Sequence, residues 1–114
     1  MVTSYGRESR CSRGILMAIR HIITIQVAPG RAADFADAFK PLKAAAQQEE
    51  GCEQYDLFQN LDAPDTLLML ERWTSQALLD EHTHRERTTN AALIEALIAL
   101  WAPGTTPKLE RYED

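Results

Sequence analysis

Little in this sequence could hold a nucleotide, cross a bilayer or attract a polyanion. Its 114 residues include five glycines and two cysteines. Gly6, Gly14, Gly30, Gly51 and Gly104 stand apart, so neither a P-loop nor a dinucleotide fingerprint is present and no cofactor of that kind is expected. Twelve Lys and Arg against 17 Asp and Glu leave a net charge of -5. That balance argues against nucleic acid or an anionic membrane as a partner, because both require clustered cations. No apolar run approaches the roughly 20 residues that span a bilayer. Cys11 and Cys52 lie in very different contexts, so a disulfide framework is not expected and a reducing cytoplasmic setting is. Cys52 reads as a small buried apolar residue. His-Glu-x-x-His does not occur. His82 and His84, two apart, would diverge by about 200° on a helix, so no metal site is expected.

What remains is the composition of one ordinary globular domain, 45% hydrophobic and 25% charged. Residues 1–16 carry no apolar pattern and no secretory h-region, and read as a flexible N-terminal tail. The patterned domain spans 17–114. From Met17 to Val27 apolar residues alternate in a β-branched strand that Pro29-Gly30 ends. Between Arg31 and Glu50, Phe35, Phe39, Leu42 and Ala46 recur at helical spacing, with a bend expected at Pro41 and Gly51 suited to the helix end. Cys52–Asn60 and Thr66–Trp73 read as strands joined by a short turn, hence an antiparallel hairpin. Thr74 or Ser75 can cap a helix running to about His82. A polar stretch follows, then an apolar helix from Asn90 to Trp101, and Lys108–Tyr112 is short enough for an edge strand. The order β-α-β-β-α-β, with the second crossover in two pieces, predicts an α+β ferredoxin-like fold: an antiparallel sheet with helices on one face.

The strands are apolar on both sides. Ile22, Leu68 and Leu70 face away from the set led by Ile23, Leu67 and Met69. Helices cover one face only, so the other predicts a homodimer packed face to face.

Several polar residues interrupt apolar faces. His21 is either a satisfied core histidine or a pocket-lining base or donor. His82 follows Leu78 and Leu79 at helical spacing. It reads either as a helix-end histidine or as a general base at a pocket between helices and sheet. Glu71 and Trp73 share one strand face. On the helix side Trp73 would form a pocket wall and Glu71 would orient a donor or a histidine; otherwise Trp73 is plain core and Glu71 pairs with a base on the next strand. Asn60 at a strand end also suits a turn.

The ordered set Glu50-Gly51-Cys52-x-x-Tyr55-x-Leu57-Phe58, Pro64, then Glu71-Arg72-Trp73-x-Ser75-x-Ala77-Leu78-x-x-x-His82 resembles the antibiotic biosynthesis monooxygenase (ABM) family. The opening strand and Val27-Ala28-Pro29-Gly30 fit as well, and the resemblance spans about residues 17–113. It implies a dimeric α+β barrel. It also implies, among the family's activities, cofactor-free monooxygenation of quinols, anthrones and related aromatics by dioxygen. Other members degrade haem or isomerise a phosphorylated sugar. Trp73, His82 and Glu71 match recurrent positions. Many members carry a second histidine five residues after the first, where this chain has Arg87.

A deprotonated quinol or anthrone can itself reduce dioxygen, so the protein must supply a base, a dry pocket and fixed dipoles. A phenol near pKa 10 against a histidine near 6.5 leaves roughly 5 kcal/mol uphill. Donors must therefore stabilise the anion. The expected set is His82 as base, with His21 and Glu71 beside it, Trp73 as a stacking wall, and Arg72, Asn60 and Tyr55 as substrate-binding donors. A keto–enol or small-sugar isomerase, and a non-catalytic ligand-binding domain, are the alternative readings of the same fold.

Overall fold

The computed structural model describes residues 17–114; the expected tail at 1–16, with Cys11, lies outside the described residues. The elements run β1 (Ile19–Gln26), α1 (Ala32–Gln47), β2 (Cys52–Gln59), β3 (Thr66–Trp73), α2 (Gln76–Arg87), α3 (Ala91–Ile98) and β4 (Lys108–Glu113). The sheet order is β2-β3-β1-β4, with every pair antiparallel. This is the ferredoxin-like split βαβ arrangement, with β1 and β3 at the centre.

Alternation along the strands decides what is buried. Ile19, Ile25 and Val27 from the β1 segment join Leu67, Met69, Glu71 and Trp73 of β3 on one face, all buried. Phe35, Phe39, Leu42 and Ala46 of α1, Leu79 of α2 and Leu97 of α3 close over them. Each large apolar side chain so covered contributes about 1.5–3 kcal/mol. In β2 the register shifts between Cys52 and Gln54. The shift lets Cys52, opposite Trp73, and Tyr55, opposite Glu71, both serve the helical side despite their odd spacing.

The turn between α1 and β2 is built tightly. Gly51 has φ +88°, and a Cβ there would lie 2.6 Å from Leu78 Cδ1 and 3.0 Å from Thr74 Oγ1. The Gly51 carbonyl accepts from Thr74 N, and Ser75 Oγ accepts from Leu78 N to cap α2. The start of α2 is therefore locked onto the end of α1.

Three boundaries differ from the pattern-based expectation. Helix α1 stops at Gln47, leaving Glu49 in the turn. Helix α2 runs five residues past His82 to Arg87. Its last turns have no apolar stripe, but they contain no Gly or Pro, and Arg85–Glu81 at i,i+4 supports them from the solvent side. Helix α3 ends at Ile98, because Trp101 leaves it to bridge Val27 beside β1. Cys52 is only half-buried rather than core. Pro41 lies inside α1 without dividing it.

Among the described residues no helix covers the opposite side of the sheet. Ile22, Thr24, Leu68 and Leu70 are half-buried there, and Phe58 and Tyr112 are about half exposed, at 49% and 48%. Among the described residues no helix is long and apolar enough to cross a membrane.

Candidate functional site

Beneath the helices lies a cavity of about 380 Å³, within the range of small-molecule sites. Its walls are apolar: Ile23, Ile25 and Met69 from the sheet, Phe35 and Leu42 from α1, Leu79 from α2, and Ile94 and Leu97 from α3. Ile98, Trp101, Pro107 and Leu109 complete the lining. Ile98 and Leu109 are 45% and 56% exposed, so the chamber is open on that side rather than enclosed. Its polar groups are His21, Glu71, His82, Thr83 and Glu86. Among the described residues no lysine or arginine lines it.

The polar part is organised around His82, whose side chain is 1% exposed. Helix α2 carries it inward one turn after Leu79, as helical spacing requires. Its Nδ1 is 3.0 Å from Glu49 Oε1, which also accepts from Arg85 Nη1 at 3.1 Å. Its Nε2 is 3.1 Å from Glu86 Oε2 and 3.9 Å from Glu71 Oε1. Neither contact is aligned as a hydrogen bond, and Nε2 is buried without a partner. The indole of Trp73 lies 4.4 Å from the imidazole, centroid to centroid, and Tyr55 meets it edge-on at 5.4 Å.

Burial by itself would push the His82 pKa down. The Glu86 carboxylate, followed by Glu71 and Glu49, outweighs that effect and holds it above the ordinary 6.5. Tyr55 stacks on Phe39 and reaches Glu86 Oε2 at 3.5 Å. Burial, then the carboxylates of Glu71, Glu86 and Glu49, keeps its phenol firmly protonated. Burial likewise raises the Cys52 thiol, aided by Glu49 and Glu71.

Glu71 stands on the helical face, where Oε1 accepts the Trp73 indole N–H at 2.7 Å. His21 sits opposite it in register, with Nδ1 3.8 Å from Glu71 Oε2. The structure thus brings His21, Glu71 and His82 to one cavity. Trp73 and Tyr55 are both fully buried behind this cluster and are not part of the lining; Tyr55 meets it through the edge of His82 and through Glu86. Arg72 and Asn60, expected as pocket donors, are placed elsewhere. Arg72 follows Glu71 on a strand and so points to the opposite face, where it pairs with Glu53 and Asp114. Asn60 Oδ1 accepts from the backbone N–H groups of Asp62 and Ala63 and shapes the hairpin turn.

Glu49, Thr83, Arg85 and Glu86 were not singled out by the sequence pattern. Glu86 had a usable signal, since it lies four residues after His82 on one helix face. Glu49 is 33 residues from His82 and had none. Among the described residues no grouping of His, Cys, Asp and Glu could hold a metal ion.

The profile of the antibiotic biosynthesis monooxygenase family matches residues 18–92, and the chain belongs to that family. A Bacillus subtilis (strain 168) protein named "Putative monooxygenase YcnE" is 34% identical over 58 residues. That stretch is 51% of this chain and 61% of the relative, so less than two thirds of the relative is matched. A conserved protein from Methanosarcina mazei Go1 has a similar crystal structure, with TM-score 0.74 and 28% identity over 85% of this chain and 92% of that one. A Caulobacter crescentus CB15 protein, called a "putative antibiotic biosynthesis monooxygenase", shares the fold with TM-score 0.76 and 24% identity over 87% and 91% of the two chains.

Proposed function

We propose that the protein is a cofactor-independent monooxygenase that oxidises a small, uncharged quinol- or anthrone-like aromatic with dioxygen. The observation that carries this reading is the composition of the cavity: apolar walls meeting a buried imidazole among carboxylates, with no lysine or arginine among the described lining residues. Family membership makes the reaction class the natural one.

In the proposed reaction the substrate gives a proton to His82 Nε2, and the resulting anion passes one electron to dioxygen. Radical and superoxide combine into a peroxide, which His82 protonates. For an anthrone-type CH2 group, loss of water then leaves C=O, with one oxygen atom in the product and the other in water. Every unit by which the carboxylates raise His82 removes about 1.4 kcal/mol from the proton-transfer penalty. His21 lines the same cavity and is the donor available to the anion; the Thr83 hydroxyl, also in the lining, already donates to the Leu79 carbonyl.

The isomerase alternative is a keto–enol or small-sugar isomerase, and the resemblance includes one form of it that acts on a phosphorylated sugar. A phosphate in this cavity would meet Glu71 and Glu86 and, among the described residues, no lysine or arginine, so it is disfavoured. We place the reaction in a reducing cytoplasm, where the free Cys52 thiol persists. The working assembly on this reading is a homodimer whose partner covers Ile22, Leu68 and Leu70.

The test is oxygen uptake with menadiol, aerobic against anaerobic, for wild type and His82→Ala. Oxygen-dependent turnover that falls about 10²-fold or more in His82→Ala is expected. Equal rates would remove His82 from the mechanism. Ligand binding with neither oxygen uptake nor product would leave a binding domain instead.

A further inference from the structure

We infer that Glu49 is a positioning residue that fixes the neutral His82 imidazole as its Nδ1–H tautomer, presenting the Nε2 lone pair to the cavity. The inference rests on the reading of His82 as proton acceptor, but the state of the ring can be measured without any reaction. A neutral imidazole has one N–H, and its position is set by whichever acceptor offers the better bond. Two carboxylates compete at nearly equal distance. Glu49 Oε1 is 3.0 Å from Nδ1 and aligned. Glu86 Oε2 is 3.1 Å from Nε2 and misaligned, so Nε2 has no partner despite its burial. A proton on Nε2 would leave Nδ1 as a bare acceptor facing a carboxylate oxygen, lone pair against lone pair. A proton on Nδ1 makes a buried, aligned bond to a charged acceptor, the stronger kind, and leaves the Nε2 lone pair facing only the misaligned Glu86 oxygen.

The remaining groups around the ring do not reverse this choice. Glu71, on β3, is 3.9 Å away, and its Oε1 already accepts from Trp73. Tyr55, on β2, spends its hydroxyl on Glu86. His21, on β1, reaches Glu71 and not the ring. Arg85, one turn beyond His82 on α2, donates to the same Glu49 oxygen as Nδ1. That contact pairs a carboxylate whose side chain is only 7% exposed with a guanidinium. Glu49 comes from the turn after α1, so packing of α1 against α2 sets the orientation of the base.

The experiment is a long-range proton–nitrogen correlation spectrum of the 15N-labelled, ligand-free full chain, taken at a pH above the His82 pKa. The signals are assigned by the loss of one ring in His82→Gln. The expected wild-type pattern is Nδ1–H. Glu49→Ala should move the ring to Nε2–H, the form favoured in water and by Glu86. Glu49→Gln, whose amide oxygen still accepts, should retain Nδ1–H and guards against a folding defect in the alanine variant. A wild-type ring found as Nε2–H overturns the inference whatever the activity. In the menadiol assay, Glu49→Ala should lower kcat about 10²-fold with KM within about twofold, and Glu49→Gln should recover much of it. An Nδ1–H ring in a protein that consumes no oxygen would overturn the proposed function while leaving the inference about Glu49 standing. Unchanged kcat in a folded Glu49→Ala would overturn its positioning role.

Discussion

Replacing Glu86 by Gln isolates the electrostatics of the site with almost no change of shape. Glu86 Oε2 is 3.1 Å from His82 Nε2, and its carboxylate is the foremost influence raising that imidazole. Coulomb attraction at this distance is about 1.3 kcal/mol in bulk water and about 5 kcal/mol at an effective dielectric of 20. The Glu86 side chain is 26% exposed, so the lower part of that range applies, and the His82 pKa should fall when the carboxylate is removed. The expected outcome is a His82 pKa returning to or below 6.5, since burial keeps acting after the carboxylate has gone. The His82 ring resonances followed from pH 4.5 to 10 measure it directly. The same shift should appear in the acid limb of kcat/KM with menadiol, because His82 must be deprotonated to accept a proton. Stability carries a sign that can be checked independently. The folded-state pKa is raised, so His82 stabilises the fold fully below pH 6.5 and loses that contribution as pH rises through its folded value. Glu86→Gln should therefore cost more stability at pH 6 than at pH 9. A His82 pKa that does not fall in a folded variant, or a cost that grows with pH, would refute this account.

Other perturbations follow from the packing. Gly51→Ala combines a left-handed backbone with a 2.6 Å approach to Leu78, and should cost about 2–4 kcal/mol in urea unfolding; a loss under 1 kcal/mol would show that the turn relaxes freely. Trp73→Phe leaves Glu71 Oε1 without its 2.7 Å donor and should cost about 1–3 kcal/mol, together with a displaced His82 ring signal. Leu70→Arg puts a charge on the sheet face that no helix of the described residues covers. It should convert a sedimenting dimer to a monomer with little change in the far-UV spectrum, and a wild-type chain that sediments as a monomer would defeat the dimer itself.

Alternation and helical spacing were enough to place the sheet and the helices, because burial on one side imposes a period of two on a strand and of 3.6 on a helix. Ile19, Ile25, Leu67, Met69 and Trp73 on one side, and Phe35, Phe39, Leu42 and Ala46 on α1, could be named from that rule alone, and so could the bare opposite face. His82 stood out as a polar ring among leucines, and Glu71 as a charge between Met69 and Trp73. The end of α2 escaped the rule because its last turns are held by charges and carry no apolar stripe. What only the tertiary structure decided is how His82 is held. Glu49 reaches it across 33 residues of chain, from a turn whose position depends on Gly51 packing against Leu78. Arg72 was sent to the far face by a single step of strand parity, and Asn60 was consumed by its own turn. Periodicity reports which side of an element is buried. It carries no information about which distant carboxylate meets a buried ring, because that contact is made by the packing of elements and not by spacing within one.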